Sequence, residues 1–254
     1  MKRRFSFLAF CLAMAVIAQN ALAQANNSYQ QTNLVSDQPG VAAHTDPNLV
    51  NAWGMAFFPN DFFWISNNGS GTTTIYDNAG ATQLPVVTIP PPRNSTATST
   101  PTGQVANTVN DFPVAGVTPF FIFDSEDGTI SAWIGGANAV LMVDNSAAGA
   151  VYKGLTIVTN TRGNFLLAAN FRAGTVDVFD KNYAPATLTG TFTDPNLPAG
   201  YAPFNVQTIG QRVFVTYALQ DAAKHDDVAG PGNGFVSLFL TMAPSSAVSP
   251  ARVP

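Results

Sequence analysis

Cysteine is almost absent from this chain of 254 residues, with Cys11 standing alone. One thiol can form neither an internal disulfide nor a thiolate metal site. Charge is also scarce. Asp, Glu, Lys and Arg make up 10% of the residues, against roughly 25% in an average soluble domain. Low charge together with 46% hydrophobic residues excludes a disordered chain and a coiled coil rich in Glu, Lys and Leu. No basic run follows Arg4, which argues against nucleic acid as a partner and against adhesion to anionic lipid. No apolar run reaches the roughly 20 residues that span a bilayer.

What is present begins with an address. Lys2, Arg3 and Arg4 precede an apolar run from Phe5 to Ala18, and Ala21-Leu22-Ala23 has the small-x-small form of a cleavage site. This pattern predicts a signal peptide over residues 1–23 and an exported mature chain, periplasmic or extracellular, that starts at Gln24. Phe10, next to Cys11, excludes a lipoprotein. Cleavage leaves no cysteine, and 8 basic against 15 acidic residues give a net charge of −7.

The rest of the chain repeats. Gly71-Thr72-Thr73-Thr74-Ile75-Tyr76, Gly128-Thr129-Ile130-Ser131-Ala132-Trp133, Gly174-Thr175-Val176-Asp177-Val178-Phe179 and Gly234-Phe235-Val236-Ser237-Leu238-Phe239 align without gaps. Each is a turn glycine followed by strand alternation that ends in an aromatic. Upstream stand Trp53-Gly54, Thr102-Gly103, Lys153-Gly154 and Phe204-Asn205, spaced by 49, 51 and 51 residues. Asn replacing Gly in the fourth copy suggests a backbone position with positive φ. Asn67, Asp124 and Asn170 each precede a repeat glycine by four residues, the form of a hairpin turn. The expectation is an all-β chain, a β-propeller of four-stranded blades of about 50 residues each. It covers 24–239, with an irregular tail at 240–254.

These blades resemble NHL-type propellers. Asn33-Leu34-Val35-Ser36-Asp37, Asp46-Pro47-Asn48-Leu49-Val50-Asn51-Ala52-Trp53-Gly54 and Lys224-His225-Asp226-Asp227-Val228-Ala229-Gly230-Pro231-Gly232-Asn233-Gly234 look more specifically like a family of uncharacterised bacterial exported propeller proteins. The resemblance implies six blades, of which about four are present here, so that the chain looks C-terminally truncated. It implies no established activity.

Turns between second and third strands, and the links between blades, are expected on one face. Three units use a three-residue spacer there, whereas the fourth carries 219–233. Long loops on a rigid scaffold are where function concentrates. Asp221, His225, Asp226 and Asp227 form a candidate metal set, with oxygen ligands suiting calcium and the imidazole suiting a transition metal. His44, Asp46, Asn51 and Asn205 are expected on the same face as a ligand surface. Asp124-Ser125-Glu126-Asp127-Gly128 reads as an ordinary turn, and Trp53, Trp64 and Trp133 as core. No G-x-S-x-G or H-E-x-x-H motif is present. The leading expectation is an exported binding or scaffold module for a protein or carbohydrate ligand, able to self-associate through unpaired blades. A calcium-dependent hydrolase or lactonase is the alternative, and a structural surface protein the third.

Overall fold

The computed structural model describes residues 29–188, 192 and 194–241, and the backbone of 249–252. The expected signal peptide and Cys11 lie outside the described residues. The chain divides into two units, Met1–Asn33 and Leu34–Pro254, and everything below concerns the second.

That unit is all-β. Among the described residues the only helical element is one short 3-10 turn, Ser146–Ala148. A small parallel pair, β1 (Val35–Ser36) and β2 (His44–Thr45), precedes four antiparallel sheets that follow one another along the chain. The first sheet is β3 (Ala52–Ala56), β4 (Phe63–Asn67), β5 (Thr72–Tyr76) and β6 (Thr82–Thr88). The second is β7 (Pro101–Ala106), β8 (Phe121–Ser125), β9 (Thr129–Trp133) and β10 (Val140–Asp144). The third holds β11 (Tyr152–Asn160), β12 (Gly163–Asn170) and β13 (Thr175–Phe179), and the fourth β14 (Tyr201–Ile209), β15 (Arg212–Leu219), β16 (Gly234–Leu240) and β17 (Ser249–Arg252). Each sheet is a meander in sequence order. The four aligned repeat segments supply β5, β9, β13 and β16, the third strand every time. Gly71, Gly128 and Gly174 take φ of 68°, 78° and 72° at the turns, a region that L side chains rarely adopt.

Two expectations change. The stretch 240–254, read as irregular, contributes β17, which pairs antiparallel with β16. The third sheet has three described strands, and part of the fourth strand expected near 188–192 lies outside the described residues.

The sheets pack through three apolar cores. Trp64, Ile75, Val87, Phe121 and Phe123 join the first sheet to the second. Ile122, Ile130, Tyr152, Leu166 and Phe179 join the second to the third. Val158, Phe165, Leu167, Val206, Val215 and Phe239 join the third to the fourth. The first strands lie side by side, β3 on β7, β7 on β11 and β11 on β14. No core cluster among the described residues joins the fourth sheet back to the first.

This side-by-side packing explains the upstream anchors, and it corrects the reason first given for them. Gly54, Gly103, Gly154 and Asn205 are not in the positive-φ region. The three glycines are required because neighbouring first strands approach closely. A Cβ on Gly54 would collide with the Thr102 carbonyl, one on Gly103 with the Leu155 amide, and one on Gly154 with Asn205 Oδ1.

Candidate functional site

All four first strands carry a β-bulge at the same place, with register slips at Ala52/Met55, Pro101/Gln104, Tyr152/Leu155 and Pro203/Asn205. A bulge re-aims a side chain. The residues inside these bulges include Trp53, Thr102, Lys153 and Phe204, and three of them meet. The Trp53 and Phe204 ring centroids are 5.8 Å apart. Lys153 Nζ lies 5.1 Å from the Trp53 ring centroid and 5.9 Å from those of Phe204 and of Phe171, just past β12. Trp64 is core as expected, stacked 4.2 Å from Phe121, whereas Trp53 forms a wall around a cation.

Lys153 is only 1% exposed. A buried ammonium is costly unless it is paired and bonded. Here Glu126 forms one ion pair and Asp226 Oδ1 a second at 3.3 Å, while the aromatic faces add cation–π attraction. Glu126 is held in turn. Its Oε2 accepts from Asn68 Nδ2 at 2.8 Å, and Asn68 Oδ1 accepts from Asn51 Nδ2 at 3.0 Å. The network thus links the segment entering β3, the β4–β5 turn, the β8–β9 turn and the β15–β16 loop around one lysine of β11.

The β15–β16 loop presents Asp226 by local bonding. Asp221 Oδ1 accepts from the His225 and Asp226 amides at 2.8 and 3.3 Å, a side-chain bond that closes the loop on its own backbone. Gln220 bridges to Asp227 and donates from Nε2 to the Phe171 carbonyl at 2.5 Å. His225 Nδ1 lies 3.0 Å from Asp226 Oδ1. This contact, and then the charge of Lys153, hold the Asp226 carboxyl below its usual range.

The expected metal set is therefore divided. Asp221 shapes the backbone, and Asp227 is exposed beside Gln220. His225 and Asp226 instead join Glu126, with one ligand atom from each within 4.8 Å of the others. Lys153 Nζ stands among these carboxylates and supplies the positive charge there. Of the expected ligand surface, Asn51 enters the network and Asn205 packs on Gly154. Asp46 is a buried structural acceptor, taking the Tyr76 hydroxyl at 2.8 Å and Asn48 Nδ2 at 2.9 Å. His44 is exposed on β2, and no described hydrogen bond or ion pair connects it to the cluster.

A second buried ionisable group lies one position before the turn of the second sheet. Asp124 is 1% exposed, and its Oδ2 has no hydrogen-bond partner among the described residues. Burial pushes its carboxyl up to about 7. Its Oδ1 is 3.0 Å from Thr102 Oγ1, which is also 2.8 Å from the Tyr152 carbonyl.

Lys153, Glu126, Asn68, Phe171 and Phe204 carried no functional expectation. The signal was in the repeat itself. The residue before each small anchor is Trp, Thr, Lys or Phe, and one register position holding both a lysine and two aromatics is a meeting point once the strands are side by side.

No family model matches the chain. It is similar to an uncharacterised protein of Acanthamoeba polyphaga mimivirus, 30% identical over 249 residues, covering 92% of this chain and 60% of that protein. A second uncharacterised protein of the same virus is 29% identical over 221 residues, covering 81% of this chain and 57% of that protein. The chain thus spans less than two thirds of the length of these curated relatives. They are viral, which overturns the resemblance to a bacterial family. Among solved structures, virginiamycin B lyase from Staphylococcus aureus aligns with a TM-score of 0.49 and 11% identity, over 78% of this chain and 66% of that chain. An exo-beta-1,3-galactanase from Phanerochaete chrysosporium aligns at 0.48 and 12%, over 88% and 53%. Likeness of that degree assigns this chain nothing, and its architecture rests on its own strands.

Proposed function

We propose that the protein is an exported recognition module built on propeller-type blades, and that it binds its ligand on the face where the bulged first strands meet the β15–β16 loop. The blade reading is supported by four meander sheets in sequence, three inter-sheet cores and first strands packed side by side. Export rests on Lys2 to Ala23. The observation that carries the binding site is the convergence on Lys153 of four separate connections and three aromatic rings. Lys153, Glu126 and Asn68 bond within the cluster, while Asn51, His225 and Asp226 reach solvent beside the partly exposed Trp53 and Phe204. A recognition surface needs that combination, a rigid base with a few exposed polar groups. Association through the outer faces of the first and fourth sheets belongs to the same reading, and gel filtration as a monomer counts against it.

Probing an array of polysaccharides and peptides with the parent chain and with a Trp53→Ala, Phe204→Ala double variant tests the site. Capture by the parent and loss in the variant is the expected result. Equal capture by both places recognition elsewhere on the molecule.

One observation favours a second reading, a divalent cation held by Glu126, His225 and Asp226. The ammonium of Lys153 competes directly for that position. A calorimetric scan in calcium against chelator separates the readings, because a bound ion raises the melting temperature.

A further inference from the structure

We infer that Asp226 is a built-in plug, and that the position it holds over Lys153 is a binding site for the carboxylate of an incoming ligand with an apolar or aromatic body. The inference rests on the binding-face reading above and gives it a ligand class and a gate.

Two donors converge on one oxygen. Lys153 Nζ at 3.3 Å and His225 Nδ1 at 3.0 Å both point at Asp226 Oδ1. That is the arrangement an anion site requires, and a carboxylate of the chain itself fills it. The two carboxylates beside Lys153 are not equivalent. The Glu126 side chain is 9% exposed and is braced by Asn68, so it neutralises the lysine permanently. The Asp226 side chain is 67% exposed and rides on a loop. Its pair with the lysine is the longer one, and exposed pairs are weak. Asp226 is the member that can leave.

Charge dictates an exchange and not an addition. With Glu126 and Asp226 both in place, the lysine already faces two negative charges, and a third would be repelled. If Asp226 swings out, a ligand carboxylate restores the same balance. Trp53, Phe171 and Phe204 surround the ammonium; Phe171 is fully buried, but Trp53 and Phe204 are partly exposed, so the body of the ligand meets their apolar faces and the site prefers an aromatic acid to a small hydrophilic one. A tethered competitor acts at a high effective concentration, which keeps the parent protein's apparent affinity low until the plug opens.

Titrating the full chain with benzoate, and with benzamide as the uncharged control, while following amide resonances tests the inference. Asp226→Ala is expected to bind benzoate roughly tenfold tighter than the parent, with the largest shifts near Lys153 and Phe204, and to ignore benzamide. Adding His225→Ala should weaken that binding several-fold without threatening the fold, since His225 lies in a surface loop. Lys153→Met in the Asp226→Ala background should abolish it. Equal benzoate affinity of parent and Asp226→Ala, or equal binding of benzamide, overturns the plug. The underlying reading fails separately. If Asp226→Ala leaves the resonances of Lys153 and Phe204 unmoved even without ligand, the loop does not lie on this face at all.

Discussion

Lys153 and Asp124 are both buried charge-bearing residues on neighbouring sheets of one scaffold, and they are accommodated in opposite ways. Around Lys153 the fold gathers two carboxylates and three rings, at the point where four connections meet. Around Asp124 it gathers no cation. One hydroxyl, Thr102 Oγ1, lies within bonding distance of both Asp124 and the Tyr152 carbonyl, and its single proton serves only one of them at a time. Burial is thus offset by opposite charges around Lys153, and pushes the carboxyl of Asp124 up to about 7 where no cation is supplied. The paired ion lies beside an exposed loop, and the raised acid is fully buried on β8.

The contrast breaks most readily at Glu126. Glu126→Gln leaves the buried ammonium with only an exposed partner, and denaturant unfolding should show a loss of about 3–5 kcal/mol. Asp124 should respond to pH with the sign of a raised acid. Its folded value of about 7 lies above the ordinary 3.8, so its contribution is fully present below about pH 4 and is lost as pH rises through about 7. Asp124→Asn should remove that dependence, making the variant the more stable protein at pH 8 by up to roughly 4 kcal/mol. Gly154→Ala tests the close approach of β11 and β14. The added Cβ meets Asn205, and a loss of about 1–3 kcal/mol is expected. The smallest effect belongs to Asp226→Asn, under about 1 kcal/mol because the side chain is mostly exposed. A larger loss there would mean that the loop is a structural strut and not a gate.

How much of this was legible beforehand differs between fold and site. The third strands were readable because a turn glycine and an alternating strand leave a local pattern, and the four aligned segments became β5, β9, β13 and β16. The His225-Asp226 loop was readable because it interrupts that pattern. Its chemistry was not. Lys153 and Glu126 are 27 residues apart, and Lys153 and Asp226 are 73 apart, so no spacing rule connects them. Only the bulges and the side-by-side packing of first strands do. Asp221, five residues before Asp226, bonds the loop amides through Oδ1, and Asp227 is exposed beside Gln220. The Asp46 carboxylate, for its part, is taken up by Tyr76 and Asn48 through folding that brings them together. The small anchors were recognised as a repeat but explained by turn geometry, because the neighbouring strand that makes a Cβ impossible is some 50 residues away in sequence.

The claim that Lys153 is a buried cation neutralised chiefly by Glu126 is tested most directly by a double-mutant cycle on these two residues, using Lys153→Met, Glu126→Gln and the double variant in equilibrium unfolding. A coupling well above the roughly 1 kcal/mol of an exposed pair is expected, with the double variant less damaged than the sum of the singles. A coupling indistinguishable from zero would contradict the account.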